Sequence, residues 1–139
     1  PPTIVIAFNV GACTDITGFG LLGHLLEMLA AAQGARLQLE RLPVLAGAQQ
    51  QLANGVRSTM HAANAAAGPA LAFEEQGNAR RELLFDPQTS GGLLIGISPA
   101  RAQTLLDALR EAGYSQAEII GEVVARDPAE GLPVVLVQS

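Results

Sequence analysis

The chain has no lysine: all eight of its basic residues are arginines. Phosphoryl-transfer sites neutralise developing charge with lysine, arginine or metal ions. Such chemistry here would need arginine, a metal, or a lysine supplied from elsewhere, which points to part of a larger enzyme. There is no tryptophan, one tyrosine and four phenylalanines, so stacking platforms for single-stranded nucleic acid are nearly absent. No basic cluster exceeds the Arg80-Arg81 pair and the net charge is −5, which argues against a duplex-binding footprint. Cys13 is the only cysteine. No disulfide can close within the chain, and a reducing cytoplasm is the expected setting. The opening PPTIVIAFNV lacks the basic start of a signal peptide, and no apolar run nears the ~20 residues of a membrane span. The expectation is a soluble protein with no visible export signal and no membrane or nucleic-acid partner.

What is present specifies a packed core. Hydrophobic residues make up 49% and charged residues 15% of 139, a balance that suits one ordered domain. Residues 3–7 read as a short strand, and residues 13–16 as a second strand or the end of the first. A helix from about residue 18 to 32 carries Phe19, Leu22, Leu25, Leu26 and Leu29 on one stripe. Thr17 is its expected N-cap, and Gly34 its left-handed stop. Residues 36–40 alternate as a half-buried strand. Residues 46–53 read as a short helix, Asn54-Gly55 as a turn and residues 70–73 as a short strand. An apolar strand at 93–97 precedes a clean amphipathic helix, opened by Ser98 and Pro99 and running to Ala112, with Gly113 ending it. A strand at 119–125, a turn at 127–131 and a strand at 133–137 close the chain like a hairpin. Strand–helix–strand steps around Ala30 and Ala108 imply crossovers that lay helices on a sheet. The expected class is α+β, a mixed β-sheet with helices packed on it, without internal repeat or second domain.

Residues 11–29 organise the chemistry. They read as strand, turn and helix, with Asp15 among small and hydroxyl residues and Gly18, Gly20 and Gly23 close behind. Asp15 can ligate a hard cation while glycine N–H groups approach phosphate oxygens. The plainer reading is a carboxylate that suits the positive end of the helix dipole. Cys13 beside it is expected to be a buried small hydrophobe in preference to a reactive thiol.

Gly18-Phe19-Gly20-Leu21-Leu22-Gly23 satisfies G-x-G-x-x-G, and Glu40 stands about 20 residues on, as in a dinucleotide-binding fingerprint. The strand before it, Cys-Thr-Asp-Ile-Thr, lacks the continuous apolar run of a buried parallel strand, which counts against that reading. Residues 86–92, Asp-Pro-Gln-Thr-Ser-Gly-Gly, combine turn formers, two hydroxyls and a glycine pair that permits positive φ or close backbone approach. Consecutive N–H groups in such a turn can form an anion nest; the alternative is a decorated turn before a strand. No P-loop motif occurs. His24 and His61 have no partner at metal-ligand spacing, and His24 reads as a surface or packing residue that can also sit near phosphates. Neither Ser58 nor Ser90 has a local base.

The run Ala12-Cys13-Thr14-Asp15-Ile16-Thr17-Gly18-Phe19-Gly20-Leu21-Leu22-Gly23-His24-Leu25 resembles the hallmark of the selenophosphate synthetase (selenide, water dikinase) family. So does Asp86-Pro87-Gln88-Thr89-Ser90-Gly91-Gly92-Leu93-Leu94, in the right order and followed by Ile119-Ile120-Gly121-Glu122. The likeness corresponds to that family's C-terminal domain, of the kind shared with aminoimidazole ribonucleotide synthetase. It implies a domain over residues 12–139, with residues 1–11 a truncated or added lead-in and the N-terminal ATP-binding and catalytic domain outside this chain. It implies a usually homodimeric cytoplasmic enzyme that turns selenide, ATP and water into selenophosphate, AMP and phosphate, with magnesium. Asp15 falls on the family's magnesium ligand, and Cys13 is not its nucleophile. That nucleophile and the partner lysine lie in the N-terminal domain, so no catalytic residue and no isolated activity are expected here. Thr17, Gly18, Thr89, Ser90, Gly91 and Gly92 are expected on the cofactor-binding side. Residues 55–64 resemble the family's glycine-and-asparagine segment only loosely, which leaves Arg57, His61 and Asn64 without a role. Superfamily relatives such as thiamine-monophosphate kinases share the fold but not both motifs. A dinucleotide-binding domain on Gly18, Gly20 and Gly23, and a non-catalytic regulatory domain, stand as alternatives.

Overall fold

Each of the two motif stretches contributes one strand to a short antiparallel ribbon, and the rest of the chain supports that ribbon. β1 (Ala12–Asp15) pairs with β4 (Leu93–Gly96) in a register that sets Ala12 opposite Gly96 and Asp15 opposite Leu93. The structure, a computed structural model, describes residues 7–8, 10–67, 71–72, 79–126 and 133–137.

The helix after β1 is α1 (Gly20–Met28), which buries Leu21, Leu22 and Leu25 on its inner face. β2 (Gln33–Gln38) follows and turns through a 3-10 segment, Leu39–Arg41. Two short helices come next, α2 (Ala48–Ala53) and α3 (His61–Ala65), then the two-residue strand β3 (Leu71–Ala72). α4 (Ala79–Glu82) runs into a second 3-10 segment, Leu83–Phe85. After β4 come α5 (Pro99–Glu111), β5 (Gly121–Ala125) and β6 (Val134–Val137). A second sheet has the order β3-β6-β2-β5, with β2 antiparallel to β5 and parallel to β6. The class is α+β with a mixed sheet, as expected.

On β2 the alternation that points Ala35 and Leu37 inward points Arg36 outward, where it meets Glu122 at 3.3 Å. The core gathers Leu21, Leu22 and Leu25 of α1, Ala35 and Leu37 of β2, Leu39, Leu42, Leu84, Phe85 and Val134. Leu84 and Phe85 are essentially sealed from water, so the segment leading into residues 86–92 is anchored at the centre of the domain.

Several local expectations change. α1 starts at Gly20, and its N-cap is Phe19, with no side-chain cap bond; the Thr17 hydroxyl is engaged by His24 instead. Gly34 is not a left-handed stop but lies inside β2, which begins three residues earlier than the alternation indicated. Pairing with β5 and β6 extends the strand through small residues whose pattern carried no signal. The two crossovers do not return to one sheet, because β1 and β4 pair with each other while β2 and β5 belong to the larger sheet. The closing strands are not a hairpin: β5 and β6 flank β2 on opposite sides. Ser98 makes no capping bond, while Gly113, at φ 94°, ends α5 as expected. The strand expected over residues 3–7 lies, apart from Ala7, outside the described residues, as does the turn at 127–131.

Candidate functional site

The β1–β4 ribbon brings the two motif loops side by side. Beyond Asp15 the pairing continues as Ile16 N–H donates to the Gly92 carbonyl at 2.9 Å, and Gln88 N–H donates to the Thr17 carbonyl at 3.0 Å. Residues 15–18 and 88–92 therefore form one continuous edge. Asp15 is exposed on it, and its carboxylate makes no hydrogen bond or ion pair with any described residue. Thr89, Ser90, Gly91 and Gly92 are exposed on the same edge. A Cβ on Gly91 would collide with the Ile16 carbonyl, so close approach, not positive φ, is what this position requires. Asp86 is turned inward to its own loop, accepting from Gln88 Nε2 at 3.0 Å.

Cys13 is exposed, contrary to the expectation of a buried small hydrophobe. Strand alternation puts it on the solvent face with Asp15, while Ala12 and Thr14 are half-buried. Partial desolvation, and secondarily the Asp15 charge, push its thiol pKa up from the ordinary value. The thiol is kept protonated and is a poor nucleophile.

Behind the edge, three side chains form a chain that the sequence reading missed. Thr17 Oγ1 lies 3.0 Å from His24 Nε2, and His24 Nδ1 lies 3.1 Å from Glu27 Oε2. His24 is buried, as a packing histidine would be, but it also connects two polar groups. The i,i+3 spacing of His24 and Glu27 was visible; the seven-residue reach to Thr17 depends on where α1 starts.

Asn64 is the other unforeseen residue. Its amide donates to the Gly18 carbonyl at 2.8 Å and to the Phe85 carbonyl at 3.0 Å, clamping the first motif segment to the residue that leads into the second. Nearby, Glu82 accepts from His61 Nε2 at 2.9 Å and from Arg57 Nε at 3.3 Å. Arg57 and His61 thus serve the scaffold. Burial alone would raise the Glu82 pKa, but the His61 and Arg57 hydrogen bonds and charges outweigh it and hold it below the ordinary 4.5. A carboxylate with a lowered folded pKa stabilises above its unfolded value, and that contribution is lost as pH falls through the folded one. Glu82→Gln should therefore lower the melting temperature at neutral pH. The gap to wild type should close as pH drops below 4.5, and a gap independent of pH in thermal melts would contradict this account.

The glycines of the G-x-G-x-x-G pattern are used for packing. Gly20 takes φ +69° where a Cβ would stand 2.8 Å from the Leu84 carbonyl oxygen, and β1 sits in a two-stranded antiparallel ribbon. Glu40 lies in the 3-10 turn after β2 and pairs with Arg80 at 3.3 Å. None of this reproduces the parallel strand and open helix start that hold a dinucleotide pyrophosphate.

Among the described residues no group of three or more His, Cys, Asp or Glu converges on a metal. Magnesium needs no such cage, since it is commonly held by one or two carboxylates together with substrate phosphates and water. A single exposed, unengaged carboxylate fits that share of a site. Among the same residues, no helix is long and apolar enough to cross a membrane.

Residues 3–131 match the family model described as AIR synthase related protein, C-terminal domain. The chain belongs to that family. The AIR synthase-related domain has relatives with named activities. It is 41% identical over 130 residues to the selenide, water dikinase of Pelobacter propionicus, a match covering 91% of this chain and 37% of that protein. The selenide, water dikinase of Burkholderia orbicola is 42% identical over 119 residues, covering 84% of this chain and 34% of its own. That of Clostridioides difficile is 37% identical over 128 residues, covering 86% and 35%. The chain spans little more than a third of the length of these relatives.

Proposed function

We propose that this chain is the C-terminal domain of a selenide, water dikinase, over residues 12–139, working with an N-terminal domain that carries the catalytic cysteine or selenocysteine and the lysine missing here. The reaction takes selenide, ATP and water to selenophosphate, AMP and phosphate. One observation carries the reading: the free Asp15 carboxylate is fixed by β1–β4 pairing on the same exposed edge as Thr89, Ser90, Gly91 and Gly92. Asp15 is a magnesium ligand in this proposal, and bound magnesium offsets the charge of the polyphosphate. Thr17, Gly18 and residues 89–92 line the nucleotide side. The backbone N–H groups of Thr89, Ser90 and Gly91 donate to no described residue, which leaves them available to phosphate oxygens. A homodimer in a reducing cytoplasm completes the proposal.

The test is product analysis on the full-length protein supplied with selenide and magnesium-ATP. Phosphorus NMR should show a phosphorus–selenium species together with AMP and phosphate, and the isolated chain should form none. ATP cleavage to ADP without a phosphorus–selenium product overturns the assignment. Robust turnover by the isolated chain overturns the division of labour between domains.

A further inference from the structure

The Thr17–His24–Glu27 chain begins two residues after Asp15, and its direction follows from elementary donor and acceptor chemistry. An ionised carboxylate only accepts, so the 3.1 Å contact to Glu27 Oε2 places a ring proton on His24 Nδ1. In the neutral imidazole Nε2 is then a lone pair. The Thr17 hydroxyl, 3.0 Å away, donates to it. Having committed its only proton, Thr17 Oγ1 has lone pairs alone to offer. The His24 side chain is only 9% exposed, with the Phe19 ring centred 5.6 Å from the imidazole, so packing holds it in place. An oxygen that can only accept is unsuited to a phosphate oxygen and suited to a cation or to water bound on one.

We propose that Glu27 and His24 are positioning residues that make Thr17 Oγ1 an acceptor serving the divalent cation of the Asp15 site, directly or through a water on that cation. The inference rests on the reading of Asp15 as a cation ligand and refines the role given there to Thr17. Glu27 orients the ring, the ring holds the hydroxyl proton, and the hydroxyl oxygen joins the Asp15 carboxylate as a second hard acceptor beside the glycine turn.

The experiment uses the full-length protein with manganese(II) as the probe, free ion being read by electron paramagnetic resonance. ATP binding in EDTA is measured separately by equilibrium dialysis. Thr17→Val keeps the shape and loses the hydroxyl; it should weaken manganese binding about 10-fold and metal-free ATP binding by clearly less. Thr17→Ser should bind as wild type. His24→Phe, which fills the ring's place but cannot accept a proton, should match Thr17→Val, and the double variant should be no weaker than either alone. Wild-type manganese binding by Thr17→Val overturns the proposal. So does an equal loss of metal-free ATP binding, or an additive loss in the double variant. Should His24→Phe fail to fold, the Val and Ser variants at Thr17 decide alone. Asp15→Asn separates the two readings: intact manganese binding there removes the cation site itself, whereas its loss with Thr17→Val unaffected removes only the inference about Thr17.

Discussion

Asp15→Asn in the full-length protein should lower selenophosphate formation at least ~100-fold, the scale on which single groups that stabilise transferring charge act, and leave the fold intact. The substitution changes one oxygen to an amide nitrogen and removes the charge, with almost no change in volume. Inside this chain the carboxylate makes no hydrogen bond or ion pair with a described residue. Its removal should therefore shift stability by no more than ~0.5 kcal/mol, as for other surface changes away from special features. In the proposed function the same group acts differently. Magnesium prefers anionic oxygen and tolerates few substitutes, so the amide leaves the phosphate charge less well neutralised. Turnover measured across a magnesium titration, beside thermal melts of the same preparations, separates the two effects. Wild-type turnover at limiting magnesium would reject the role of Asp15. A large drop in melting temperature would show instead that the carboxylate supports the fold.

The contrast with Glu82 sharpens the argument. Both are acids near the motif segments, yet Glu82 is engaged by His61 and Arg57 while the Asp15 carboxylate is engaged by no described residue. An acid that the fold has already neutralised is scaffold. One held in the open by a strand pair, next to glycines and hydroxyls, is available to a ligand. The absence of lysine adds to this, since balancing a polyphosphate from this chain falls to arginine or to a metal held by an acid.

Local pattern made the helix α5, its glycine stop and the position of Asp15 legible, because periodicity and turn chemistry are properties of consecutive residues. Strand partners were not legible. Nothing in the residues 12–15 names 93–96 as their pair, and β2 lies between β5 and β6 through contacts about 90 residues apart in sequence. The Asn64 clamp was hidden for the same reason: it bonds backbone carbonyls, which carry no side-chain signal in the sequence. Cys13 was misread because its flanking small residues suggested burial, while alternation on an edge ribbon faces it outward. Gly18, Gly20 and Gly23 were recognised as significant, and for Gly20 the structure supplies the reason, which is a close approach to the backbone of Leu84, Phe85 and Asp86.

Gly20→Ala should be strongly destabilising, at about 3–5 kcal/mol from backbone strain and overpacking together. Gly20 sits at φ +69°, a region that L side chains adopt only at a cost. A Cβ there would also stand 2.8 Å from the Leu84 carbonyl oxygen, 3.0 Å from the Phe85 carbonyl carbon and 3.2 Å from the Asp86 carbonyl oxygen. All three neighbours are backbone, and Leu84 and Phe85 are buried at the core centre, so the segment has little room to retreat. Gly47 provides the control. It has φ +83° with nothing within 4 Å of its would-be Cβ, so Gly47→Ala bears the strain alone, roughly 1–2 kcal/mol. Urea denaturation of the two variants should then differ by about 2 kcal/mol, the share expected from overpacking. Equal losses would mean that the contact with Leu84–Asp86 does not hold α1 in place. The edge that carries Asp15 is positioned through that contact, so the same variant should also lose activity in the full-length protein, even at temperatures where it remains folded.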